Sequence, residues 1–342
     1  MAHPISGSLI ALLPLILAGL ISPTTVTRDF PIGVYGVSPK ELRPIAESGF
    51  THVLSASKSA EAQIALAKAA KRAGLSLIGY PQTLLPAPSS GIPIAAWYLS
   101  DEPDVNNESP EDISRQAAEM RAKDSGTPLV LVVGDGSRAA ECASHVDAVM
   151  VDWYPIPHLP LSSLGDHIAT AVSQVPNKPI WAVVQAMDWR DYPQRDPKKK
   201  PIGRFPAKAE IRFMAYDAIV NGAAGIFFFE VRVRSRTGYT LLDSPEHWAA
   251  LRHVSRELSL LRPILADGER TPLDFGPIIG VRIRHGRTRV TILANRSSMT
   301  QLLPQQFQSP ECRTLFENRI SPFEALPDGR MDSARILALA GC

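Results

Sequence analysis

Trp97-Tyr-Leu-Ser-Asp-Glu-Pro103 is the stretch that decides the fold. A short β-type run ends in two adjacent carboxylates, and a proline then fixes how the chain leaves. Seven further runs of the same kind surround it: Pro31–Gly36, Thr51–Ser55, Ser76–Tyr80, Leu129–Val133, Ala148–Asp152, Ile180–Gln185 and Gly225–Glu230, with Ala95–Ser100 the fourth in order. Each is rich in Val, Ile, Leu, Phe or Ala and bounded by turn residues. Helix-type stretches separate them. Ser38-Pro-Lys-Glu-Leu reads as a capped helix start, Ala60 to Ala73 as a helix stopped by Gly74, and Ser109 to about Lys123 and Ala207 to Asn221 as two more. Near-continuous apolar strands are those of a parallel sheet covered on both faces, and eight βα units are the count of a closed barrel. An open doubly wound sheet is the alternative, but no glycine-rich phosphate loop follows the first strand. The expected fold class is therefore α/β, a (β/α)8 TIM barrel over residues 30–265.

The last part of the chain changes character. A helix-like stretch from Pro245 to Leu261 ends at Arg262-Pro263, and alternating runs follow at Ile278–His285 and Arg289–Asn295, joined by a turn at His285-Gly286-Arg287. Thr314–Glu317 and Arg335–Ala338 add strands. This predicts a small antiparallel, sandwich-like β-domain over 271–342, starting near Thr271-Pro272. At the other end, Leu9 to Ile21 is almost wholly apolar and precedes Ser22-Pro23-Thr24-Thr25. Residues 1–25 read as a signal peptide, or as an uncleaved N-terminal anchor, because the residues before Leu9 hold no Lys or Arg. A secreted or periplasmic protein is expected, touching a membrane only through that segment.

Bulk properties exclude more than they assign. A formal charge of +2 on 342 residues gives no electrostatic ground for a nucleic-acid partner, and Lys198-Lys199-Lys200 reads as a solvated loop. Three cysteines make no disulfide framework; Cys312 and Cys342 can pair in an oxidising compartment, leaving Cys142 buried and free. No metal or cofactor is expected, since no Cys/His ligand spacing and no Ser-His-Asp set is present. Asp135 and Asp152 on neighbouring strand ends leave a divalent ion as the weakest reading.

If the barrel forms, chemistry belongs at the C-terminal strand ends. Those ends bring up Tyr35, Tyr80, Asp101-Glu102, Asp152-Trp153-Tyr154, Gln185 with Asp188 and Trp189 just beyond, and Glu230. Aromatic faces stack on sugar C–H surfaces while carboxylates and amides bond hydroxyls, so this mixture suits a polysaccharide or oligosaccharide. Strand alternation turns Trp97 and Tyr98 opposite ways, one of them toward the helices.

Trp97-Tyr-Leu-Ser-Asp101-Glu102-Pro103 resembles the fourth-strand segment of the large clan of (β/α)8 glycoside hydrolases, whose signature there is Asn-Glu-Pro. Val151-Asp-Trp-Tyr-Pro155, Trp181-Ala-Val-Val-Gln185 and Asn221 to Glu230 resemble later strands of such proteins. The resemblance implies Glu102 as general acid/base and Asp101 as its sugar-binding neighbour. It also implies a nucleophilic Glu at the end of the seventh strand, where this chain has Gln185, and an amide cannot form a glycosyl ester. The second carboxylate is then sought in Glu230, after three phenylalanines, or in Asp152, with Asp101 and Asp188 behind them. Glu230 has a competing role as ion-pair partner to Arg232, Arg234 or Arg236. Trp153, Tyr154, Trp189, Tyr35, Tyr80 and Gln185 are the expected substrate contacts, with Gln185 open between substrate and the backbone of a barrel layer. Two readings follow: a glycosidase with Glu102 as acid, and a non-catalytic glycan-binding barrel that has lost the seventh-strand nucleophile. A structural protein of the envelope is a third and weaker one.

Overall fold

The computed structural model of the protein describes residues 29–81, 94–192, 202–316, 324–325, 330–332 and 335–342. The expected N-terminal targeting segment and Lys198–Lys200 lie outside the described residues. Eight strands run in parallel and in chain order: β1 (Ile32–Val37), β2 (His52–Ser55), β3 (Ser76–Gly79), β4 (Ile94–Asp101), β5 (Leu129–Val133), β6 (Ala148–Asp152), β7 (Ile180–Gln185) and β8 (Ile226–Phe229). β8 returns to β1 with Ile32 opposite Ile226, which closes the barrel. The (β/α)8 barrel followed by an antiparallel β-domain is the fold found.

Strand alternation sorts each run between two surfaces. Tyr35, Leu54, Ile78, Tyr98, Val130, Met150, Trp181 and Phe227 point into the lumen and form its packed interior. Their neighbours, such as Val34, Leu77, Trp97, Leu131, Val149 and Phe228, pack under the helices. Trp97 is thus the outward member of its pair, its indole donating to Asp124 Oδ2 at 3.0 Å. Phe227 stacks on Trp181 with ring centroids 5.3 Å apart. It also lies where a Cβ on Gly33 would come within 2.1 Å of its ring, so the lumen accepts this large side chain only because position 33 has none.

The helices are α1 (Leu42–Ala46), α2 (Ala60–Arg72), α3 (Pro103–Asn106), α4 (Pro110–Lys123), α5 (Ala139–Ala143), α6 (Ser163–Gln174), α7 (Lys208–Val220) and α8 (Pro245–Asp267). Ser59 and Ser109 cap α2 and α4 through the backbone N–H groups of Ala62 and Asp112. Ser38 does not cap a helix. Its N–H and hydroxyl both bond Glu41 Oε2, and α1 starts only at Leu42. The last helix likewise departs from expectation by running through Pro263 to Asp267. Proline removes one ladder bond there, but buried Leu261, Ile264 and Leu265 continue the apolar stripe and hold the final turn.

The C-terminal part comprises β9 (Glu269–Phe275), β10 (Ile278–His285), β11 (Thr288–Asn295), β12 (Gln301–Leu302), β13 (Arg313–Leu315), β14 (Glu324–Ala325), β15 (Arg330–Met331) and β16 (Ile336–Ala340). Six of them form one antiparallel sheet in the order β14-β13-β16-β11-β10-β9, while β12 and β15 form a separate ladder. β9 runs straight through Pro272, which the sequence marks as a boundary. As the edge strand, it can spare that N–H. One sheet face joins the barrel's outer core through Val281, Ile292, Ile336 and Ala338. The other covers a satellite core of Leu293, Phe307, Leu337 and Leu339.

Polar ties fix the two parts together. Arg212 on α7 donates to Glu257 of α8 at 2.8 Å and to the carbonyl of Ile336 at 2.8 Å. Arg296, just after β11, donates to the Ser162 carbonyl at 2.6 Å and to Asp166 at 2.7 Å, and its Nε lies 3.1 Å from Asp217 Oδ1. Burial, opposed by the Arg296 charge, pushes the Asp217 carboxyl up to about 7.

Two outcomes are expected. Asp217 binds its proton more tightly folded than unfolded, so its contribution to stability is full at low pH and is lost as pH rises through about 7. Arg296→Met leaves that carboxylate buried without its cation. It should cost about 3–5 kcal/mol at pH 8 and clearly less at pH 5, measured by denaturant unfolding at both values. Equal losses at the two pH values would contradict the pairing. Cys312 and Cys342 are bonded, and Cys142 is the buried free thiol among the described residues. Thiol titration of air-oxidised protein should therefore find no reactive group natively and one after denaturation. Breaking this 30-residue link should cost the C-terminal sheet about 3 kcal/mol.

Candidate active site

The C-terminal strand ends surround a cavity of about 1020 Å³. Its lining includes Asp101, Glu102, Asp152 and Glu230, so the four carboxylates come from β4, β6 and β8 into one space. Tyr35, Tyr80, Trp153, Tyr154 and Trp189 line it as well.

The β4 end is built by a break in backbone geometry. Asp101 still belongs to the strand, and its side chain accepts a short bond from the Tyr98 hydroxyl. Glu102 then adopts φ 48° and ψ 55°, the left-handed region, which costs a non-glycine residue about 1–2 kcal/mol. Two consecutive strand residues would face opposite ways, whereas this turn lets both adjacent carboxylates border the cavity. Pro103 opens α3, and Asp104 accepts from the backbone N–H groups of Gly134 (3.0 Å) and Asp135 (3.2 Å), tying the turn to the end of β5. Asn106 closes it with a 2.8 Å bond to the Asp101 carbonyl.

Asp152 ends β6 beside this turn. Tyr154 donates to its Oδ2 at 3.2 Å, its buried Oδ1 has no hydrogen-bond partner among the described residues, and Glu102 lies near enough to act on the carboxyl. Burial, then the charges of Glu102 and Asp101, pushes the Asp152 carboxyl well above the usual carboxylate range. Burial and the two neighbouring carboxylates thus favour the neutral form of Asp152 over its anion.

Glu230 follows β8 and is almost fully buried, at 2% exposure. Its Oε1 accepts from Arg234 Nε at 2.6 Å and from the Tyr192 hydroxyl, while its Oε2 lies over Gly36. A Cβ there would approach Oε2 to 2.6 Å, and Gly36 also has φ +77°. Of the three arginines expected to compete for Glu230, Arg234 is the one that pairs with it.

The aromatic residues divide by task. Tyr35 and Tyr98 form the floor, edge to face at 6.3 Å, and burial holds both phenols protonated. Tyr154 stacks on Phe229 at 5.4 Å and orients Asp152. Trp153 packs on His167 at 4.0 Å and donates to Ser163, which leaves part of its ring at the rim. Trp189 and Tyr192, edge to face at 6.2 Å, make the wall after β7. Tyr192, Lys58, Arg232 and Arg234 are cavity residues that strand-end reading missed. All four sit in loops beyond the strands, where periodicity carries no signal.

Gln185 is a correction. It is fully buried and does not line the cavity. Its amide accepts from Ile156 N–H at 2.8 Å and donates to the Ile156 carbonyl at 2.9 Å, clasping the loop after β6. The expected substrate contact is a backbone clasp. Asp188 is also turned to structure, capping the turn at Trp189 and pairing with Arg190. Among the described residues no group of three His, Cys, Asp or Glu side chains is placed to hold a metal ion, and Asp135 is bonded to Ser137 at 2.6 Å.

Compared with known proteins, the sequence matches no family model and no curated protein. Similarity appears in solved structures. A family 5 glycoside hydrolase from Bacteroides vulgatus superposes with a TM-score of 0.59 at 13% identity, over 91% of this chain and 89% of that one. A GH30 endoxylanase from Clostridium papyrosolvens gives 0.55 at 10% identity, over 92% and 96%. An α-amylase from Geobacillus thermoleovorans, complexed with acarbose, gives 0.54 at 12% identity, over 92% and 98%. At these identities the likeness is one of architecture, and this chain has the closed (β/α)8 barrel fold of these glycoside hydrolases.

Proposed function

We propose that this protein hydrolyses glycosidic bonds in a polysaccharide, with Glu102 as general acid and Glu230 as the second carboxylate. The observation that carries this reading is that Asp101, Glu102, Asp152 and Glu230 line one cavity together with Tyr35, Tyr80, Trp153, Tyr154, Trp189 and Tyr192. The upward shift of the Asp152 carboxyl suits it less to be base or nucleophile than to pass a proton to Glu102. In the hydrolytic step Glu102 takes the proton of Asp152 and passes a proton to the departing glycosidic oxygen as the C–O bond breaks. Water attacks the oxocarbenium-like carbon, and its proton passes to Glu230, whose ion pair with Arg234 fixes the carboxylate. Trp153, Trp189 and Tyr192 offer ring faces and edges to sugar.

We also propose export, with residues 1–25 as signal peptide or anchor. The Cys312–Cys342 disulfide accords with a secreted or periplasmic site. A second reading, glycan binding without cleavage, is favoured by one observation: Gln185 at the end of β7 serves the backbone and supplies no nucleophile.

Glu102→Gln decides between the two. On a panel of polysaccharides the wild type should release reducing ends, and the variant should lose about 10²- to 10⁴-fold in turnover while retaining binding. Unchanged turnover removes Glu102 from the acid role, and binding without any release by the wild type selects the second reading. The pH profile tests Asp152. Because its folded pKa is raised, the proton is present at low pH and lost as pH rises, so activity should fall on an alkaline limb. Asp152→Asn, which cannot titrate, should abolish that limb along with the decline in thermal midpoint that accompanies it. A variant whose alkaline limb matches wild type would assign it to another group.

A further inference from the structure

The cavity lining carries both signs of charge. Asp101, Glu102 and Asp152 come from β4 and β6, Arg138 after β5 pairs with Glu141, and Lys58 after β2 and Arg232 after β8 are the other cations beside Arg234. Glu230, the carboxylate nearest these cations in the chain, is taken by Arg234. Neither Lys58 nor Arg232 has a carboxylate at ion-pair distance among the described residues. Lys58 is exposed, its ammonium 5.0 Å from the centre of the Tyr80 ring. Arg232 is held in place by one side-chain bond, from Nη1 to the Ala56 carbonyl at 3.0 Å, and so is tied to the loop that carries Lys58. Its Nε is buried without an acceptor among the described residues. Nη2 is the remaining donor of a permanently charged guanidinium, suited to a carboxylate oxygen.

We propose that the cavity takes an acidic glycan and that Lys58 and Arg232 receive a sugar carboxylate on the β1–β2–β8 side. The inference rests on the glycosidase reading of the same cavity and names its substrate class. Neutral sugars offer an anchored guanidinium and an ammonium only uncharged hydroxyl acceptors, whereas a uronic acid offers a planar anion to both. A carboxylate against Asp101 and Glu102 would be repelled, so the acidic sugar turns its anion toward Arg232 and Lys58 and its neighbouring linkage toward Glu102.

Calorimetric titration of the full chain with galacturonate, glucuronate and mannuronate oligomers, each beside its carboxyl-reduced neutral counterpart, tests this. At least one acidic oligomer should bind about tenfold or more tightly than its reduced form, with the difference shrinking as salt is raised. Lys58→Gln and Arg232→Gln should each remove most of that preference. Lys58 is exposed, so its variant stands as the test even if the other is destabilised. Equal binding of acidic and reduced oligomers, or a preference that survives both substitutions, overturns the proposal. Equal binding of a sulfated neutral oligomer overturns the carboxylate assignment in favour of charge alone. Preferential binding with no released reducing ends supports this inference and removes hydrolysis, whereas cleavage of neutral glycans without preference does the reverse.

Discussion

Everything at the rim depends on β8 meeting β1, and that meeting depends on Gly33. The Phe227 ring occupies the space a side chain at position 33 would need, with 2.1 Å as the separation any Cβ would have. A bulkier residue would expel the ring or open the barrel between its first and last strands. With Phe227 inside, stacked on Trp181, the lumen is filled by side chains and is no channel. Polar groups can then gather only above the packed layer, at the strand ends. The tyrosine floor of Tyr35 and Tyr98 marks the boundary: below it are apolar contacts, above it carboxyls.

The site is placed by backbone exceptions in an otherwise regular barrel. Glu102 lies in the left-handed region, and Asp104 holds that turn against the amides at the end of β5. Gly36 leaves the space into which Glu230 Oε2 fits. These features cost stability locally and persist because the neighbouring strands over-determine them. Their common effect is to bring carboxylates from β4, β6 and β8 into a volume that pleated strands alone would have divided between two faces.

Much of the barrel was legible because its information is local. Each apolar run spans four to eight residues between turn signals, and all eight overlap the observed strands. The alternation of Trp97 and Tyr98 follows from the pleat alone. What sequence hid is what tertiary contact decides. Pro263 breaks a helix in isolation but not one whose next residues are buried against a barrel. Pro272 reads as a boundary unless its strand is known to be an edge. Gln185 stands where a nucleophile was sought, and only the position of Ile156, brought near by the loop after β6, turns its amide to the backbone. Tyr192 and Arg232 reach the cavity from loops whose course no period reports.

An amide rather than a carboxylate at the end of β7 bears on how the other carboxylates coexist. Two carboxylates about 4 Å apart in a partly buried site repel by about 4 kcal/mol, so several cannot all stay charged. Here the repulsion is met in two ways. Burial and neighbouring charge favour the neutral form of Asp152, and Glu230 takes a guanidinium. A further carboxylate in place of Gln185 would press on both arrangements, because β7 lies between β6 and β8. The amide removes that charge and holds the β6 loop that carries Tyr154, the donor to Asp152. Gln185 therefore supports Tyr154 and Asp152 without touching them, and an uncharged amide on β7 adds no repulsion where burial already favours the neutral form of the β6 carboxyl.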